Sequence, residues 1–265
     1  MERVVISEKW QDFLDEVDLK SFDDFFYYPR KERLSPTSNR DVHEISLGKN
    51  ENQKTFFIKR FHYPQVSDII NSLCNFHSLM TQAAIEWENA NLLLSHNIGT
   101  YIPVCFGERK KFGIESKSFI ITEKLETDFK EFVTEKWLGL QRTLQEKIII
   151  NIAKLIRKMH DLNISFTDLY MWHIFIDENT IEKQCRLNII DLHRMRQNVT
   201  NKNEKVKNIG RLFWSMSPKY FDDEILDLFI STYIKDGYET EKSKITARIQ
   251  RRVDIISKRK KRKEY

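Results

Sequence analysis

Ile164-Ser-Phe-Thr-Asp-Leu-Tyr-Met-Trp-His-Ile-Phe-Ile176, followed by Leu187-Asn-Ile-Ile-Asp-Leu-His-Arg194, is the part of this sequence from which the fold is most readily inferred. Each segment places one carboxylate, Asp168 or Asp191, beside a short apolar run that is typical of a buried strand or strand end. An ionised carboxylate is costly to bury alone, so it needs a cation, a metal or a network of donors. The two acids therefore predict one shared polar site.

Length and composition indicate a folded chain with a large core. Of 265 residues, 40% are hydrophobic and 12% are aromatic, which argues against disorder. The three cysteines, Cys74, Cys105 and Cys185, are scattered without CxxC spacing, which argues against a structural zinc site and indicates a reducing compartment. The sequence has no signal-peptide pattern and no apolar run of roughly 18 residues, the length that spans a bilayer. We therefore expect a cytoplasmic protein.

The basic charge of this sequence is concentrated at its end. Residues 244–265 carry ten Lys and Arg against two acids, whereas the whole chain has a net charge of +5, so the remainder is slightly acidic. Apolar residues recur there at helical spacing, and the run Lys258-Arg-Lys-Lys-Arg-Lys263 follows them. Three interpretations remain open: a terminal helix packed on the body, a peripheral contact with an anionic membrane face, or nucleic-acid binding.

The first third of the chain predicts helices followed by a hairpin. Residues 1–33 have apolar and aromatic residues at helical spacing and predict a helical lead-in. Residues 41–48 and 55–61 have the alternation and the β-branched and aromatic content of strands, and the turn between them favours a hairpin.

Lys59 and Glu86 form a candidate ion pair. Lys59 lies within the second strand on the face of Phe57 and Phe61, where a lysine whose stem lies along apolar surface is the simplest interpretation. Glu86 falls at the edge of the apolar stripe of a helix predicted over 79–94, and a core-facing acid needs a cation. The pair is either structural or part of a phosphate site.

The rest of the chain predicts two further strands, over 102–107 and 118–122, and then a mainly helical region. A long helix over 144–160 precedes the quoted stretch, and helices near 209–216, 225–234 and in the tail follow it. The order predicts an α+β fold of two lobes joined near Glu123–Glu126.

These residues together resemble a known family. A strand lysine, a helix acid, a loop Asp after a long helix and a later strand-end Asp occur in the order of the protein-kinase signature. More specifically, Phe56-Phe-Ile-Lys-Arg-Phe61, Glu86-Trp87, Thr167-Asp-Leu-Tyr-Met-Trp-His173 and Ile189-Ile-Asp-Leu-His-Arg194 resemble the Kdo/WaaP lipopolysaccharide kinase family. The resemblance covers roughly 38–216.

The resemblance implies a bilobal protein-kinase-like fold and an ATP- and Mg²⁺-dependent transfer in which positioning and charge neutralisation dominate. It implies that Lys59 holds the ATP phosphates, that Glu86 orients Lys59, and that Asp168 is the general base. It further implies that Asp191 and His173 bind the metal, and that backbone groups at Glu123 and Leu125 meet the adenine beside Thr122. Each acid or histidine alone also has a simpler interpretation: Asp168 as a turn cap, Asp191 paired with Arg194, and His173 and His193 packed in the core.

This sequence departs from the protein-kinase pattern in several places, among them the Leu192-His193 that follows Asp191 instead of Phe-Gly. No glycine occurs between Pro29 and Leu47, so the glycine-rich phosphate loop is absent, and Ser35–Arg40 would contact nucleotide by side chains or ordinary turns. Phe166 and Thr167 stand where a His and an Arg usually precede the catalytic Asp. Asn208 stands where a helix Asp often braces the catalytic loop, and its amide can do part of that work.

The expected function is phosphorylation of a Kdo or heptose hydroxyl of the lipopolysaccharide inner core, at the cytoplasmic face of the inner membrane. The alternatives are a kinase of protein Ser/Thr or of another small hydroxyl, and a non-catalytic pseudokinase scaffold with a basic tail. The expected acceptor is a lipopolysaccharide core or lipid A–Kdo, and nucleic acid is disfavoured. The expected domains are a helical N-terminal extension (1–33), an N-lobe (34–124), a C-lobe (125–240) and a basic amphipathic tail (241–265).

Overall fold

The computed structural model of the protein describes residues 1–29, 33–36, 39–48, 52–64, 66–76, 78–125, 127–234 and 239–259. The chain divides into two compact units, Met1–Leu125 and Glu126–Tyr265. The first unit is built on an antiparallel sheet, and the second is mainly helical with short strands. The predicted α+β class, with strands concentrated in the first part of the chain, is confirmed.

A sheet of six strands, counted over the described residues, forms the first unit in the order β1-β5-β6-β4-β3-β2. The strands are β1 (Glu2–Ile6), β2 (Arg33–Pro36), β3 (Arg40–Leu47), β4 (Lys54–Phe61), β5 (Pro103–Lys111) and β6 (Ile114–Glu123).

The predicted hairpin is confirmed as β3 and β4. The two strands pair antiparallel with Val42 opposite Lys59, and β4 pairs on its other side with β6, where Ile120 is opposite Lys59. Lys59 therefore stands in the middle of the sheet. Because side chains alternate along a strand, its neighbour Arg60 points to the opposite face.

The helical prediction for residues 1–33 needs a correction at its start. Glu2–Ile6 forms strand β1 and pairs with β5, and the helices that follow are short: α1 (Gln11–Glu16) and α2 (Phe22–Phe26). The alternating residues of β1 are few and half-exposed, so the sequence pattern is weak there, and the pairing partner lies about a hundred residues away along the chain.

The N-terminal helices cover one face of this sheet. Their large apolar side chains are buried and join strand residues in one core cluster: Trp10, Leu14, Phe22, Phe25 and Phe26 pack with Ile45, Phe56, Ile58 and Phe119. Each buried side chain of this size contributes roughly 1.5–3 kcal/mol through removal from water.

Two more helices belong to the first unit, α3 (Val66–Phe76) and α4 (Gln82–Ser95). The sequence predicted α4, whereas α3 was missed. Thr81 caps α4 by accepting from the Ala84 amide, and the Ala83 amide donates to Ser118 Oγ of β6 at 3.3 Å. The small side chains of Ala83 and Ala84 let the helix approach the sheet closely, which sets the position of Glu86.

The helices of the second unit are α5 (Phe129–Lys136), α6 (Arg142–Asp161), α7 (Lys202–Ser215), α8 (Asp223–Ile234) and α9 (Glu239–Ser257). Helix α6 is the long helix predicted over 144–160. Helix α5 was missed because its eight residues carry only a short apolar face of Phe129, Phe132 and Val133.

Short strands join the helices of the second unit in two small sheets. They are β7 (Thr127–Asp128), β8 (Ser165–Phe166), β9 (Ile174–Ile176), β10 (Leu187–Ile189) and β11 (Met195–Arg196). Strand β9 pairs antiparallel with β10, and β8 pairs antiparallel with β11. The two quoted segments are therefore joined to each other at both ends.

The tail helix α9 packs on the second unit through its apolar side. Ile249 and Ile256 are buried, and Arg248 hydrogen-bonds Asn203 at the start of α7. The packed-helix interpretation of the tail is therefore confirmed for α9, and these apolar residues are not available for insertion into a membrane. Residues 260–265, which hold most of the polybasic run, lie outside the described residues.

No helix in the described part of the chain is both long enough and apolar enough to cross a membrane.

Candidate active site

Lys59 and Glu86 form a buried ion pair in the first unit, as predicted. The Lys59 ammonium contacts Glu86 Oε1, and the hydroxyl of Tyr101 donates to Glu86 Oε2 at 2.8 Å. The side chain of Glu86 is 1% exposed and that of Lys59 is 13% exposed. Each oxygen of the carboxylate therefore has a donor, which offsets its desolvation and holds the ammonium at the surface of the sheet.

The end of β6 holds the residues predicted to meet adenine. The Glu123 amide donates to Ile102 O at 3.0 Å, and its carboxylate accepts from Lys9 Nζ at 2.7 Å and from Trp10 Nε1 at 3.2 Å. Because the amide is engaged, the prediction for Glu123 concerns its carbonyl oxygen. Leu125 is half-buried and Thr122 is buried.

Part of the predicted nucleotide-contacting segment lies outside the described residues. In Ser35–Arg40, residues 37 and 38 and the side chains of 35 and 36 lie outside the described residues.

Asp191 follows β10 and adopts a left-handed backbone conformation, with φ 64° and ψ 53°. Such a conformation is uncommon outside glycine, although Asp adopts it more readily than most residues. The turn directs the carboxylate between two histidines: His193 Nδ1 lies 2.9 Å from Oδ1, and His173 Nε2 lies 3.8 Å from Oδ2. The structure thus brings Asp191 and His173 together, as predicted.

Hydrogen bonding determines the tautomer of His173. Its Nδ1 lies 2.6 Å from the backbone oxygen of Asp168, and a carbonyl oxygen can only accept, so Nδ1 carries the hydrogen. In the neutral ring, Nε2 then has its lone pair on the side of Asp191. A metal-binding histidine usually binds the metal through one ring nitrogen and donates the N–H of the other to a carbonyl or carboxylate oxygen, as Nδ1 of His173 does here.

Asp168 lies on the loop between β8 and a short 3₁₀ turn over Met171–His173. Its carboxylate is 24% exposed and lies 3.5 Å from Arg194 Nη1, while Thr167 Oγ1 donates to Arg194 O at 2.6 Å. Arg194 therefore lies beside Asp168, and the alternative that pairs it with Asp191 stays a prediction. The β8–β11 pairing carries Arg194 back beside the loop that holds Asp168.

Asn208 braces that loop from α7. Its Oδ1 accepts from the Phe166 amide at 2.9 Å, from Ser165 Oγ at 3.0 Å and from His160 Nε2 at 3.2 Å. The bracing role predicted for the amide is confirmed, with the oxygen alone making all three contacts. Asn208 Nδ2 is buried without a hydrogen-bond partner among the described residues.

His160, in the last turn of α6, is a part of this brace that the sequence did not indicate. Its Nε2 donates to Asn208 Oδ1, so its Nδ1 accepts from the Tyr233 hydroxyl at 2.8 Å. Burial lowers the pKa of His160 to about 4. The ring is therefore neutral in the folded protein at neutral pH, and it links α6, α7 and α8 behind the loop.

The Asp191 and His173 donors fit a divalent cation. Asp191 offers a carboxylate oxygen, and His173 offers an imidazole lone pair directed to the same side. Carboxylate oxygen is the ligand that Mg²⁺ prefers, and imidazole is accepted more readily by Mn²⁺ and later metals.

Comparison with known proteins places the chain in a family. A model of the lipopolysaccharide kinase (Kdo/WaaP) family matches residues 46–233. This chain belongs to that family. The segments quoted at the outset, the Lys59–Glu86 pair and the loop brace all lie within the matched residues.

Curated relatives in the family are lipopolysaccharide core heptose(I) kinases. Two similar proteins, WaaP of Escherichia coli and WaaP of Escherichia coli strain K12, are each 28% identical to this chain over 171 residues. These alignments cover 62% of this chain and 64% of the relatives' own length.

A solved structure supports the fold over nearly the whole chain. The structure titled "WaaP in complex with acyl carrier protein" matches with a TM-score of 0.72 and 18% sequence identity, covering 96% of this chain and 98% of that one. The kinase-like fold expected from the sequence is therefore confirmed, and the match extends beyond the family's region to the N-terminal strand and helices.

Proposed function

We propose that this member of the Kdo/WaaP family is an ATP-dependent kinase that phosphorylates a Kdo or heptose hydroxyl of the lipopolysaccharide inner core. The observation that carries the proposal is the arrangement around His173: its ring is oriented by the Asp168 carbonyl and directed to the Asp191 carboxylate. A base and a metal ligand held within one short loop system are what phosphoryl transfer requires.

The roles proposed for the individual residues follow from their surroundings. Lys59, fixed by Glu86, neutralises the ATP phosphates. The Glu123 carbonyl and the Leu125 amide meet the adenine edge. Asp191, with His173, holds a divalent cation, which we propose to be Mg²⁺ and which neutralises phosphate charge when bound.

Asp168 is the proposed general base. It accepts the proton of the sugar hydroxyl as the new O–P bond forms and the bond from the γ-phosphorus to the ADP oxygen breaks. Arg194 supports this role by position, because its Nη1 lies 3.5 Å from the Asp168 carboxylate and can hold it in place.

The test is phosphate transfer from ATP to purified lipid A–Kdo and to heptosylated core acceptors. Wild type should transfer to one of them, and Asp168→Ala and Asp168→Asn should lose at least about a thousandfold in turnover while nucleotide binding persists. Asp223→Asn, at an exposed position in the first turn of α8, is the matched control. Near wild-type turnover in either Asp168 variant would refute the assigned role.

Failure of transfer has two distinct meanings. Nucleotide binding without transfer to any core acceptor would favour a kinase of protein Ser/Thr or of another small hydroxyl. Absence of nucleotide binding would favour a non-catalytic scaffold.

We also propose that the basic end of the chain holds the protein at an anionic membrane face, where an amphipathic acceptor is found. Helix α9 buries its apolar residues against the second unit, so this contact is electrostatic and should weaken as salt is added. Removal of residues 257–265 should reduce binding to vesicles that contain anionic lipid. Unchanged vesicle binding would refute the proposal. The same variant is also tested for binding to an acyl carrier protein, the partner in the similar WaaP structure, to show whether the basic end binds the membrane or such a protein.

A further inference from the structure

Arg252 of α9 is held tightly against α7 at Gly210. A Cβ placed on Gly210 would lie 2.6 Å from Cγ of Arg252, so the aliphatic stem of the arginine lies directly on the α7 backbone. Ile249 and Ile256 are buried on either side of it along α9. Helix packing therefore fixes the first part of the Arg252 side chain against α7.

A second arginine lies beside the first. Arg211 follows Gly210 on α7, and its positive charge opposes the rise in the pKa of the Tyr170 hydroxyl. Burial lowers the pKa of Arg252, and the positive charges of Arg211 and Arg259 lower it further. The charges of two arginines on neighbouring helices thus act on the hydroxyl of one tyrosine.

Donors in this cluster are buried without acceptors. Arg211 Nη1 and Arg252 Nε are among the buried side-chain nitrogens that have no hydrogen-bond partner within the described part of the chain. The Glu204 carboxylate interacts electrostatically with both arginines, but its described hydrogen bond goes to Lys207. Unpaired buried donors and adjacent like charges both destabilise a fold, so such a cluster is typical of an anion-binding site.

The cluster lies next to the catalytic loop. Tyr170 comes two residues after Asp168. Burial raises the pKa of the Tyr170 hydroxyl, and the negative charge of Asp168 raises it further. The Tyr170 ring stacks on Trp172 with centroids 4.8 Å apart and meets Trp214 edge-on. Arg211 and Arg252 are each half-exposed, so a ligand can reach them.

We propose that Arg211, Arg252 and the Tyr170 hydroxyl bind an oxyanion on the acceptor, a phosphate monoester or a sugar carboxylate, beside the hydroxyl that is phosphorylated. Guanidinium groups bind both anions through paired, charge-assisted hydrogen bonds. The proposal rests on the proposed kinase function and adds a requirement to it: the preferred acceptor carries an acidic group close to the reacting hydroxyl.

The kinetic test compares Arg211→Gln and Arg252→Gln with Arg251→Gln, which removes the same charge from an exposed position on α9. Arg211→Gln and Arg252→Gln should raise the KM for the acceptor about tenfold or more, while Arg251→Gln should change it little. Acceptors treated with phosphatase, or with their carboxylates converted to amides, identify the source, because the effect of the variants should vanish with the group that is recognised. An equal effect of all three variants on every acceptor would overturn the proposal.

A second measurement uses the wild-type protein and needs no turnover. Labelling of arginines by phenylglyoxal, located by peptide mass spectrometry, should slow at Arg211 and Arg252 when inorganic phosphate or acetate is added, and should not slow at Arg251. Unchanged labelling at Arg211 and Arg252 would overturn the anion site even if transfer to a core sugar is observed. Protection without transfer to any core acceptor would support the anion site and refute the proposed phosphorylation of a core sugar.

Discussion

Glu86 in the first unit and Asp168 and Asp191 in the second unit are all acids beside apolar segments, but their surroundings differ. Glu86 is 1% exposed, and Lys59 and Tyr101 engage its two oxygens. Asp168 and Asp191 are 24% and 14% exposed and are contacted by Arg194 and by histidines.

The difference in exposure indicates two different roles for these acids. An acid fully enclosed by donors positions its cation and has little room for a ligand of its own, whereas a partly exposed acid on a braced loop can meet substrate or metal. Four predictions test this distinction, in order of decreasing effect.

Replacing Asp191 should have the largest effect. Asp191→Ala should reduce turnover by at least about a thousandfold and abolish its dependence on divalent cation, because the proposed carboxylate ligand is lost. The check is a titration of phosphate transfer with Mg²⁺ and Mn²⁺. Asp191→Asn, which keeps the shape and removes the charge, should also lose cation dependence. A variant that retains a normal cation titration would contradict the metal role.

Glu86→Gln should have a smaller effect of a different kind. Loss of the charge should raise the KM for ATP roughly tenfold to a hundredfold, since Lys59 loses its fixed position, and should destabilise the fold by roughly 3 kcal/mol. The measurements are ATP kinetics and urea unfolding. Glu88→Gln, two residues along the exposed side of α4, is the control and should be near wild type. Equal behaviour of the two variants would show that Glu86 is not required to position Lys59.

The brace behind the catalytic loop predicts a dependence of stability on pH. The folded-state pKa of His160 is about 4, below the ordinary value of 6.5, so the unfolded chain binds a proton more readily. The neutral His160 ring contributes about 3 kcal/mol to the free energy of unfolding. This contribution is complete above pH 6.5 and is lost as the pH falls to about 4.

Urea unfolding between pH 4 and pH 8 measures this change. In His160→Gln, the free energy of unfolding should fall less steeply between pH 6.5 and pH 4, because the contribution of this histidine is removed. An identical slope in the variant would show that His160 is not the group responsible.

Tyr101→Phe should have the smallest effect. It removes one hydrogen bond to the charged Glu86 carboxylate, a loss of roughly 1.5–3 kcal/mol in stability with only a few-fold change in the KM for ATP. Combining it with Glu86→Gln tests the coupling: the double variant should be less destabilised than the sum of the two single variants. Additive effects would show that Tyr101 and Glu86 act independently.

The sequence by itself determined the residues whose chemistry depends on short-range pattern. Strand alternation indicated the face of Lys59, helical periodicity placed Glu86 at the edge of a core-facing stripe, and the two quoted segments indicated Asp168 and Asp191, whereas His173 was implied by the family resemblance. These signals are local, because the periods of strands and helices are imposed by backbone geometry within a few residues.

Only the tertiary structure decided which partners these residues meet. Strand β1 joins a sheet through β5, Arg194 turns to Asp168, and Arg252 reaches Gly210 from a helix about forty residues further along the chain. Each of these contacts is between residues distant in sequence, and its free energy comes from burial and charge pairing after the chain has folded. No periodicity in the sequence records such pairings, which is why the cation cluster of Arg211 and Arg252 became visible only once α7 and α9 were packed together.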